Sequence, residues 1–363
     1  MILNIYQLIL ITGISTVCYF YGLILQPIYL LGPIYIGLSI LYSIKNIVTY
    51  EKRIIISIFF ISLLTIGIIF TQILVKANNG VLWNFSLCLI IYISTILISP
   101  LVDKKKCSKI IIKIIWFLVI YALFDGIWRF LHPNPDQIFT GNPYFYRFKD
   151  NSLMFEDSNF VGATLVVAYG ALRYLHFQFK QKCMILYILL YLATFITFSR
   201  ASIISLVALE FFCLFWRLNK FNKIIVIVIV IVIAIVILYL SLNILFEDGS
   251  FRSKFYIIDL FIKNFPTLPL QNKLLGIGLG NSFEKIGIGA HTVIIVYCFE
   301  LGIIGTLFQL LIILLMVFAS RGTVLFLLVP YYINSFSLTA IAIPILFLFS
   351  GLVTVISSKV KNG

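Results

Sequence analysis

Long apolar stretches, separated by only short polar breaks, dominate this chain of 363 residues. Hydrophobic residues make up 62% of it and charged residues only 11%, whereas soluble proteins average about 45–50% and about 25%. A water-soluble globule of this length could not bury so much apolar surface. The composition therefore excludes a cytosolic enzyme, a DNA-binding domain and a secreted disulfide module, and it predicts a protein embedded in a lipid bilayer.

Because lipid offers no hydrogen-bond partner to the backbone, a membrane span is an α-helix or part of a closed barrel. The strand alternation of a barrel is absent from the sequence, so we predict an all-α polytopic membrane protein with a single membrane domain over residues 1–363. At about 20 residues per span, about twelve transmembrane helices are expected. They cover residues 3–21, 27–44, 54–75, 81–101, 110–130, 159–175, 184–198, 202–216, 224–245, 292–317, 324–336 and 338–356.

The net charge of +14 is first a topological signal, because membrane proteins collect Lys and Arg in their cytoplasmic loops. With the N-terminus inside, the inner breaks hold most of the 27 Lys and Arg residues. Both termini are therefore predicted to be cytoplasmic, and the charge implies no nucleic-acid partner.

The first apolar stretch lacks the features of a cleaved signal peptide, so a retained span is expected. The six cysteines lie in spans or inner breaks and predict neither a disulfide framework nor a metal site.

Two breaks on the outer side, residues 131–158 and 246–290, are much longer than the others. Long loops are more often functional than passive, so we expect the activity at this face. In the second loop, apolar residues recur at steps of four, three, four and three, which is the pattern of an amphipathic helix lying on the membrane surface. These residues are Phe251, Phe255, Ile258, Ile262 and Phe265.

The first long loop combines aromatic rings with an arginine and carboxylates. Rings stack on sugar faces while polar groups bond hydroxyls, so this combination is typical of a carbohydrate site. The residues that predict such a site are Tyr144, Tyr146, Arg147, Asp157 and Asn159. The alternative is an interfacial aromatic belt, with Asp157 as the N-cap of the next helix.

Arg200 lies in a tight hairpin between two predicted spans, so its guanidinium is expected at the outer edge of the membrane. A cation at this depth is costly unless it is paired or solvated, and Arg binds phosphate in bidentate fashion. The alternative is a snorkelling Arg that contacts ordinary phospholipid head groups. Arg252, in the predicted amphipathic helix, is a second candidate over the head-group plane, and an inert surface helix is its alternative.

His291 begins a long predicted span. At about 100° per residue in a straight helix, Gly302 and Gly305 return to the face of His291 while Glu300 points the opposite way. His291 is a candidate catalyst, and an interfacial capping group is the alternative. The Gly276-x-Gly278-x-Gly280 segment does not match a dinucleotide motif, and we expect a flexible outer turn.

Two further charged positions lie within predicted spans. Asp125 and Arg129 are spaced i, i+4, which favours a structural ion pair near the outer end of the fifth span. Glu210 lies near the inner end of its span and has no obvious partner in the sequence.

The order of these features along residues 155–305 resembles the O-antigen polymerase and ligase superfamily, which includes the Wzy-type polymerases and the lipid A-core ligases. The resemblance rests on five segments of this sequence. They are Phe155-Glu156-Asp157-Ser158-Asn159, Ser199-Arg200, Arg252, the Gly276 to Gly280 turn, and His291-Thr292 followed after nine residues by Gly302-Ile303-Ile304-Gly305. Thr292 stands where the ligases tend to carry Asn, Ser or Gln, which favours a polymerase.

The resemblance implies a bundle of the C-type glycosyltransferase kind in the bacterial inner membrane, with its two long loops in the periplasm. It would act there in O-antigen and lipopolysaccharide biosynthesis on undecaprenyl-diphosphate-linked oligosaccharide. A hydroxyl of a single lipid-linked repeat unit would attack the anomeric carbon of the growing chain, and undecaprenyl diphosphate would leave with inversion. A chain-length regulator of the polysaccharide co-polymerase type is a further candidate partner.

The resemblance also suggests roles for individual residues. His291 would be the base, because an unperturbed imidazole titrates near pH 6.5, and Asp157 is the second choice. The candidate diphosphate and substrate ligands are Arg147, Arg200, Arg252, Tyr144, Tyr146 and Asn159. No cofactor and no metal are expected. The rival functions are an O-antigen ligase with lipid A-core as acceptor, a lipid-linked oligosaccharide flippase, and a membrane protein without catalysis.

Overall fold

A computed structural model describes residues 4–23, 25–46, 49–138, 144–155, 157–181, 183–219, 222, 249–287, 292–336 and 342–358. The regular secondary structure of these residues is helical, and they contain no β-strand. The all-α prediction is therefore confirmed for this part of the chain.

The helices are numbered in chain order. The first eight are α1 (Ile5–Val17), α2 (Pro27–Lys45), α3 (Lys52–Leu74), α4 (Asn79–Leu97), α5 (Lys104–Leu131), α6 (Ser158–Phe179), α7 (Met184–Ile196) and α8 (Arg200–Arg217). After residues outside the description come α9 (Gly249–Asn264), α10 (Leu270–Leu275), α11 (Ser282–Ile286), α12 (Gly302–Ala319), α13 (Leu325–Ser335) and α14 (Pro344–Ser357). A helical turn, Val293–Ile295, and a π-helical segment, Val296–Leu301, precede α12.

Six helical stretches are long and apolar enough to cross a membrane, namely α2 to α6 and Val296–Ala319. Four more helices, α1, α7, α13 and α14, are apolar but shorter. These stretches support the prediction of a helical membrane protein. The predicted span at residues 224–245 lies outside the described residues, and the count of twelve spans stays a prediction.

Two hydrogen bonds between helix ends show at which end of the bundle α1 begins and α14 finishes. The backbone N–H of Asp103, just before α5, donates to the hydroxyl of Tyr6 in α1 at 3.0 Å. The ammonium of Lys104 donates to the carbonyl of Ser358, just after α14. The start of α1 and the end of α14 therefore lie at the same end of the bundle, here called the termini end. The opposite end, where α5 finishes and α6 begins, is called the loop end. The assignment of the termini end to the cytoplasm stays a prediction.

The core of the bundle is built around its last helix. Every residue of α14 from Pro344 to Ile356 is buried, because this helix packs against α1, α4, α5 and α6. A Cβ on Gly351 would lie 2.6 Å from Cβ of Thr95, so the glycine allows α4 and α14 to approach closely. By contrast, α3 exposes large apolar side chains such as Phe59 and Leu63, as expected for a surface that contacts lipid.

The helix predicted over residues 292–317 is interrupted rather than straight. Gly302 has a φ of +68°, and the turn before it is π-helical over Val296–Leu301. The angular relation predicted between His291 and the two glycines Gly302 and Gly305 assumed a regular helix, so it does not apply. The interruption of the helix coincides with a close backbone contact at Gly302. A Cβ on this residue would lie 2.2 Å from the backbone nitrogen of Gly276.

The Gly276 to Gly280 segment is also not the flexible outer turn that the sequence suggested. Residues Gly276 to Leu279 are buried, and the N–H of Gly278 donates to the carbonyl of Glu300 at 3.1 Å. The Glu300 carboxylate, only 4% exposed, accepts from the N–H of Gly280 at 3.0 Å. The turn is therefore fixed against the π-helical segment, and Glu300 has a structural partner.

We predict that Gly302→Ala strongly destabilises the protein because it adds a backbone clash to an unfavourable φ. Gly287→Ala is the matched control, since Gly287 has a similar φ of +70° but a Cβ added there would meet no described atom within 4 Å. The control is expected to lose about 1–2 kcal/mol, and Gly302→Ala clearly more. Thermal unfolding of both variants in detergent measures the difference. Equal melting temperatures would contradict the tight packing at Gly302.

Candidate functional site

The loop end brings together two segments that are distant in sequence. One is the connection between Leu131 and Ser158, which contains the short 3-10 helices Pro135–Ile138 and Tyr144–Phe148 among its described residues. The other is the hairpin between Ile196 and Arg200, which joins α7 to α8. Because α5, α6, α7 and α8 pack together, the two segments meet at one edge of the bundle.

A buried ion pair in α5 holds these segments. The Nε of Arg129 donates to Oδ2 of Asp125 at 2.9 Å, and both side chains are fully buried. The predicted i, i+4 pair is therefore confirmed. The remaining guanidinium donors reach the carbonyl of Phe148 at 2.6 Å and that of Ile196 at 3.3 Å. One side chain thus links α5 to the long connection and to the end of α7.

The other partner of the pair, Asp125, orders the chain just before α6. Its Oδ1 accepts from the hydroxyl of Ser152 at 2.8 Å and from the backbone N–H of Leu153 at 2.7 Å. The Ser152 hydroxyl in turn accepts from the N–H groups of Met154 and Phe155, each at 3.1 Å. A buried carboxylate needs such donors to offset its lost hydration, so this stretch is fixed by the charge beneath it.

Asp157 caps the first turn of α6. This is one of the two alternatives that the sequence predicted for this residue. Oδ1 of Asp157 accepts from the backbone N–H of Asn159, and Oδ2 accepts from its side-chain amide, both at 2.8 Å. The Ser158 hydroxyl donates to the carbonyl of Thr197 at 2.7 Å, and its N–H donates to the carbonyl of Lys149 at 3.0 Å. The start of α6 is therefore bonded to both segments.

The start of α8 lies close beside it. Ser199 is the N-cap of α8 and its hydroxyl accepts from that of Ser202 at 2.9 Å. A Cβ on Gly162 of α6 would lie 2.3 Å from the Ser202 hydroxyl, so the glycine permits the approach of the two helices. Arg200, the first residue of α8, is thereby held next to the start of α6.

Cationic and aromatic side chains from the two segments converge here. Nη2 of Arg200, an exposed residue, donates to the hydroxyl of Tyr146 at 3.1 Å. Nζ of Lys149 lies 5.1 Å from the centre of the Tyr146 ring, within the range of a cation–π contact. Arg200, Tyr146 and Lys149 are called the cation cluster below. Sequence reasoning singled out the first two but missed Lys149, whose spacing of three residues from Tyr146 was the available signal.

The charge of Lys149 is perturbed by its surroundings. Burial lowers the pKa of its ammonium group, and the nearby charges of Arg200 and Arg129 lower it further. The carboxylates of Asp157 and Asp150 act in the opposite direction. The pKa is lowered on balance because burial and the two guanidinium groups disfavour the charged ammonium more than the two carboxylates favour it.

An aromatic cluster lies next to the cation cluster in the chain. The ring of Phe148 is 4.9 Å from that of Phe130 and 6.3 Å from that of Phe198, measured between centroids. Phe148 directly precedes Lys149, and Phe198 lies two residues before Arg200. Phe130 is 44% exposed, so apolar surface remains open beside the charges.

The other predicted site residues are only partly described. Arg147 is half-buried and its carbonyl accepts from the N–H of Asn134 at 2.8 Å. Tyr144 and Arg252 lie in helical turns, at the start of Tyr144–Phe148 and in α9, but the description does not extend to their side chains. His291 lies outside the described residues. The structure thus brings together Tyr146, Asp157, Asn159 and Arg200, and it neither supports nor contradicts His291.

One charged group that the sequence left open has partners in the structure. Glu210 of α8 accepts from Nη2 of Arg173 in α6 at 2.8 Å and from the hydroxyl of Tyr169. That hydroxyl is also 2.7 Å from the hydroxyl of Tyr191 in α7. The network joins α6, α7 and α8, which are the helices whose loop-end residues surround the cation cluster. Sequence spacing could not reveal it, because the members lie on different helices.

The described residues contain no group of three or more His, Cys, Asp or Glu side chains that could hold a metal ion. No protein-family model, curated protein or solved structure matches this chain. The resemblance to the O-antigen polymerase and ligase superfamily therefore rests on the residues of the sequence alone.

We predict that Arg129→Met destabilises the protein by about 3–5 kcal/mol, because it leaves the buried Asp125 charge without its partner. Lys263→Met is the control, since it breaks a pair with Asp259 of the same spacing whose side chains are 69% and 51% exposed. Exposed pairs contribute little, and no measurable change is expected. Unfolding in mixed detergent micelles provides the comparison. A small, equal effect of both substitutions would show that the buried pair does not stabilise the loop end.

Proposed function

We propose that this protein polymerises undecaprenyl-diphosphate-linked oligosaccharide repeat units at the periplasmic face of the bacterial inner membrane. The growing chain is transferred from undecaprenyl diphosphate to a new lipid-linked unit in O-antigen biosynthesis. The proposal joins the resemblance in the sequence with one structural observation, which is the convergence of Arg200, Lys149 and Tyr146 from two distant segments at the loop end.

The cation cluster suits a ligand that carries negative charge. Arg200 offers a guanidinium that can bind phosphate oxygens in bidentate fashion, and Lys149 adds a second positive charge that lacks full hydration. Negative charge builds on the leaving diphosphate as the glycosidic bond breaks, and preorganised cations stabilise it. Arg147, in the same turn as Tyr146, is a third candidate ligand.

The surroundings of the cluster suit the other parts of the substrate. The ring of Tyr146 provides a face on which a sugar can stack. The half-open cluster of Phe130, Phe148 and Phe198 offers apolar surface where a polyprenyl chain leaves the diphosphate. An amphiphilic ligand with a charged head therefore fits this edge better than a soluble anion does.

The acceptor hydroxyl must lose a proton as it attacks. Both oxygens of Asp157 already accept hydrogen bonds from Asn159, which favours the capping role for this carboxylate. His291 therefore remains the first candidate for the base, on the strength of the sequence pattern. The chemistry depends mainly on placing two lipid-linked substrates side by side.

A strain that lacks the gene tests this function against its two nearest rivals. Lipopolysaccharide core that carries a single repeat unit, with the ladder of longer chains restored by the wild-type gene, is the result expected of a polymerase. Core without any repeat unit would contradict the proposal and indicate a ligase or a flippase. Repeat units accumulated on the outer face of the inner membrane would then separate the ligase from the flippase.

We predict that Arg200→Ala abolishes the ladder at an unchanged protein level, because the main phosphate ligand is lost. Removal of one such donor typically lowers the rate by about a hundredfold or more. Arg200→Lys should restore only part of it, since a point charge cannot bind in bidentate fashion. Lys285→Ala, which removes an exposed cation outside the cluster, is the control and should leave the ladder intact. A full ladder in Arg200→Ala would remove Arg200 from the site.

We predict that the affinity of the purified protein for undecaprenyl diphosphate falls as the pH is raised from 7 through the alkaline range. The reason is that the lowered pKa of Lys149 makes this ammonium lose its charge below the usual lysine range. The charge is present below that pKa and lost above it, and its loss is expected to weaken binding about tenfold. Lys149→Arg keeps the charge and should flatten the pH profile. An unchanged profile in Lys149→Arg would exclude Lys149 as the titrating group.

A further inference from the structure

Basic side chains from three parts of the chain meet at the termini end. Arg53 lies in the first turn of α3, Arg321 follows α12, and Lys104 is the first residue of α5. The Nε of Arg53 donates to Oε2 of Glu51 at 2.7 Å, and Nη2 of Arg321 donates to the same oxygen at 3.1 Å. Lys104 interacts electrostatically with Glu51 and with both arginines. These four residues are called the termini cluster below.

The termini cluster holds more positive than negative charge. Three cations surround one carboxylate, and the two guanidinium groups share a single oxygen of it. The next carboxylate along the chain, Asp103, caps α5 by accepting from the N–H of Lys106 at 2.8 Å. Among the described residues it forms no ion pair with these cations. The described part of the chain therefore leaves the positive charge of the termini cluster in excess.

Arg53 carries part of this excess where water does not reach it. Its side chain is only 13% exposed, and Nη1 and Nη2 are both buried without a hydrogen-bond partner among the described residues. A guanidinium does not lose its proton in a protein, so the charge stays. Buried polar groups are nearly always bonded. Nη1 and Nη2 form the end of the guanidinium, whose forked geometry matches two oxygens of one phosphate.

The usual excess of Lys and Arg at the ends of membrane spans does not account for this arrangement. Such cations extend into water and among head groups, as the exposed Lys105 does. The termini cluster instead grades from exposed Arg321 through half-buried Lys104 to Arg53, whose terminal nitrogens are buried. An anionic group that enters beside Arg321 would therefore meet all three cations.

We propose that the termini cluster binds a phosphate group, with two of the phosphate oxygens on Nη1 and Nη2 of Arg53. Arg53 keeps its bond to Glu51, and Arg321 turns its side chain to admit the ligand, since exposed side chains change rotamer readily. The cluster lies at the first turns of α3 and α5, which are both long and apolar enough to cross a membrane. This is the level of the lipid head groups, where basic pockets between helices bind anionic lipids. An anionic phospholipid and free phosphate present the same chemistry to the site.

Thermal unfolding of the purified full-length protein in a non-ionic detergent tests the site, because a ligand of the folded state raises the melting temperature. Phosphatidylglycerol, inorganic phosphate and phosphatidylcholine are titrated separately. Phosphatidylcholine is the control, since its choline cancels the charge of its phosphate. A rise with phosphatidylglycerol alone identifies a lipid ligand, and a rise with inorganic phosphate shows that the free anion suffices. Both results support the site, and neither depends on the reaction proposed above.

Variants then locate the binding. Arg53→Lys keeps the charge but removes the fork, and Arg321→Met removes the exposed cation of the cluster. Each is expected to weaken binding about tenfold. Lys105→Met is the matched control, because it removes an exposed cation that directly follows Lys104 in the chain, and it should leave the affinity unchanged.

The proposal would be overturned if neither phosphatidylglycerol nor inorganic phosphate raised the melting temperature, or if phosphatidylcholine raised it equally. Unchanged affinity in both cluster variants would also overturn it. Equal weakening by Lys105→Met and Arg321→Met would show that binding follows the overall charge of this face rather than the site. If Arg53→Lys does not fold, as judged by gel filtration in detergent, the comparison of Arg321→Met with Lys105→Met decides the question, since both positions are exposed.

Discussion

The ion pair between Asp125 and Arg129 is the interaction on which the loop end depends. Two charges without any exposure are stable in the interior of a membrane protein only when their donors and acceptors are satisfied. Asp125 takes donors from the stretch that leads into α6, and Arg129 donates to carbonyls of Phe148 and Ile196. The pair therefore dictates where three chain segments lie, because displacing any of them would leave a buried charge without a partner.

The cation cluster is a consequence of this arrangement. Phe148, whose carbonyl is held by Arg129, directly precedes Lys149, and Ile196 is followed within four residues by Arg200. The carbonyl of Lys149 is fixed in turn by Ser158. The functional candidates are thus positioned by helix ends and by a buried charge pair rather than by a free loop, which is the condition for a preorganised site.

The sequence could predict those structural features that depend on residues close to one another in the chain. The apolar stretches identify most helices, the i, i+4 spacing identifies the Asp125–Arg129 pair, and Asp157 before an apolar run identifies a helix cap. Features that depend on contacts between distant segments were either missed or predicted wrongly. The break at Gly302 exists because its backbone meets that of Gly276, and Glu210 finds Arg173 on another helix. A helical wheel assumes a regular helix, so it failed where tertiary packing interrupts the helix.

The structure also bears on whether Arg200 binds a phosphate group of the substrate or snorkels to ordinary phospholipid head groups. The sequence favoured neither alternative. A snorkelling side chain extends towards water and head groups and needs no second cation beside it. Arg200 instead shares Tyr146 with Lys149, and each cation makes the charge of the other less favourable. Burial of Lys149 adds to this cost, and Asp157 and Asp150 offset only part of it. Under the proposed function, the diphosphate of the substrate would supply the negative charge that offsets this cost at Lys149.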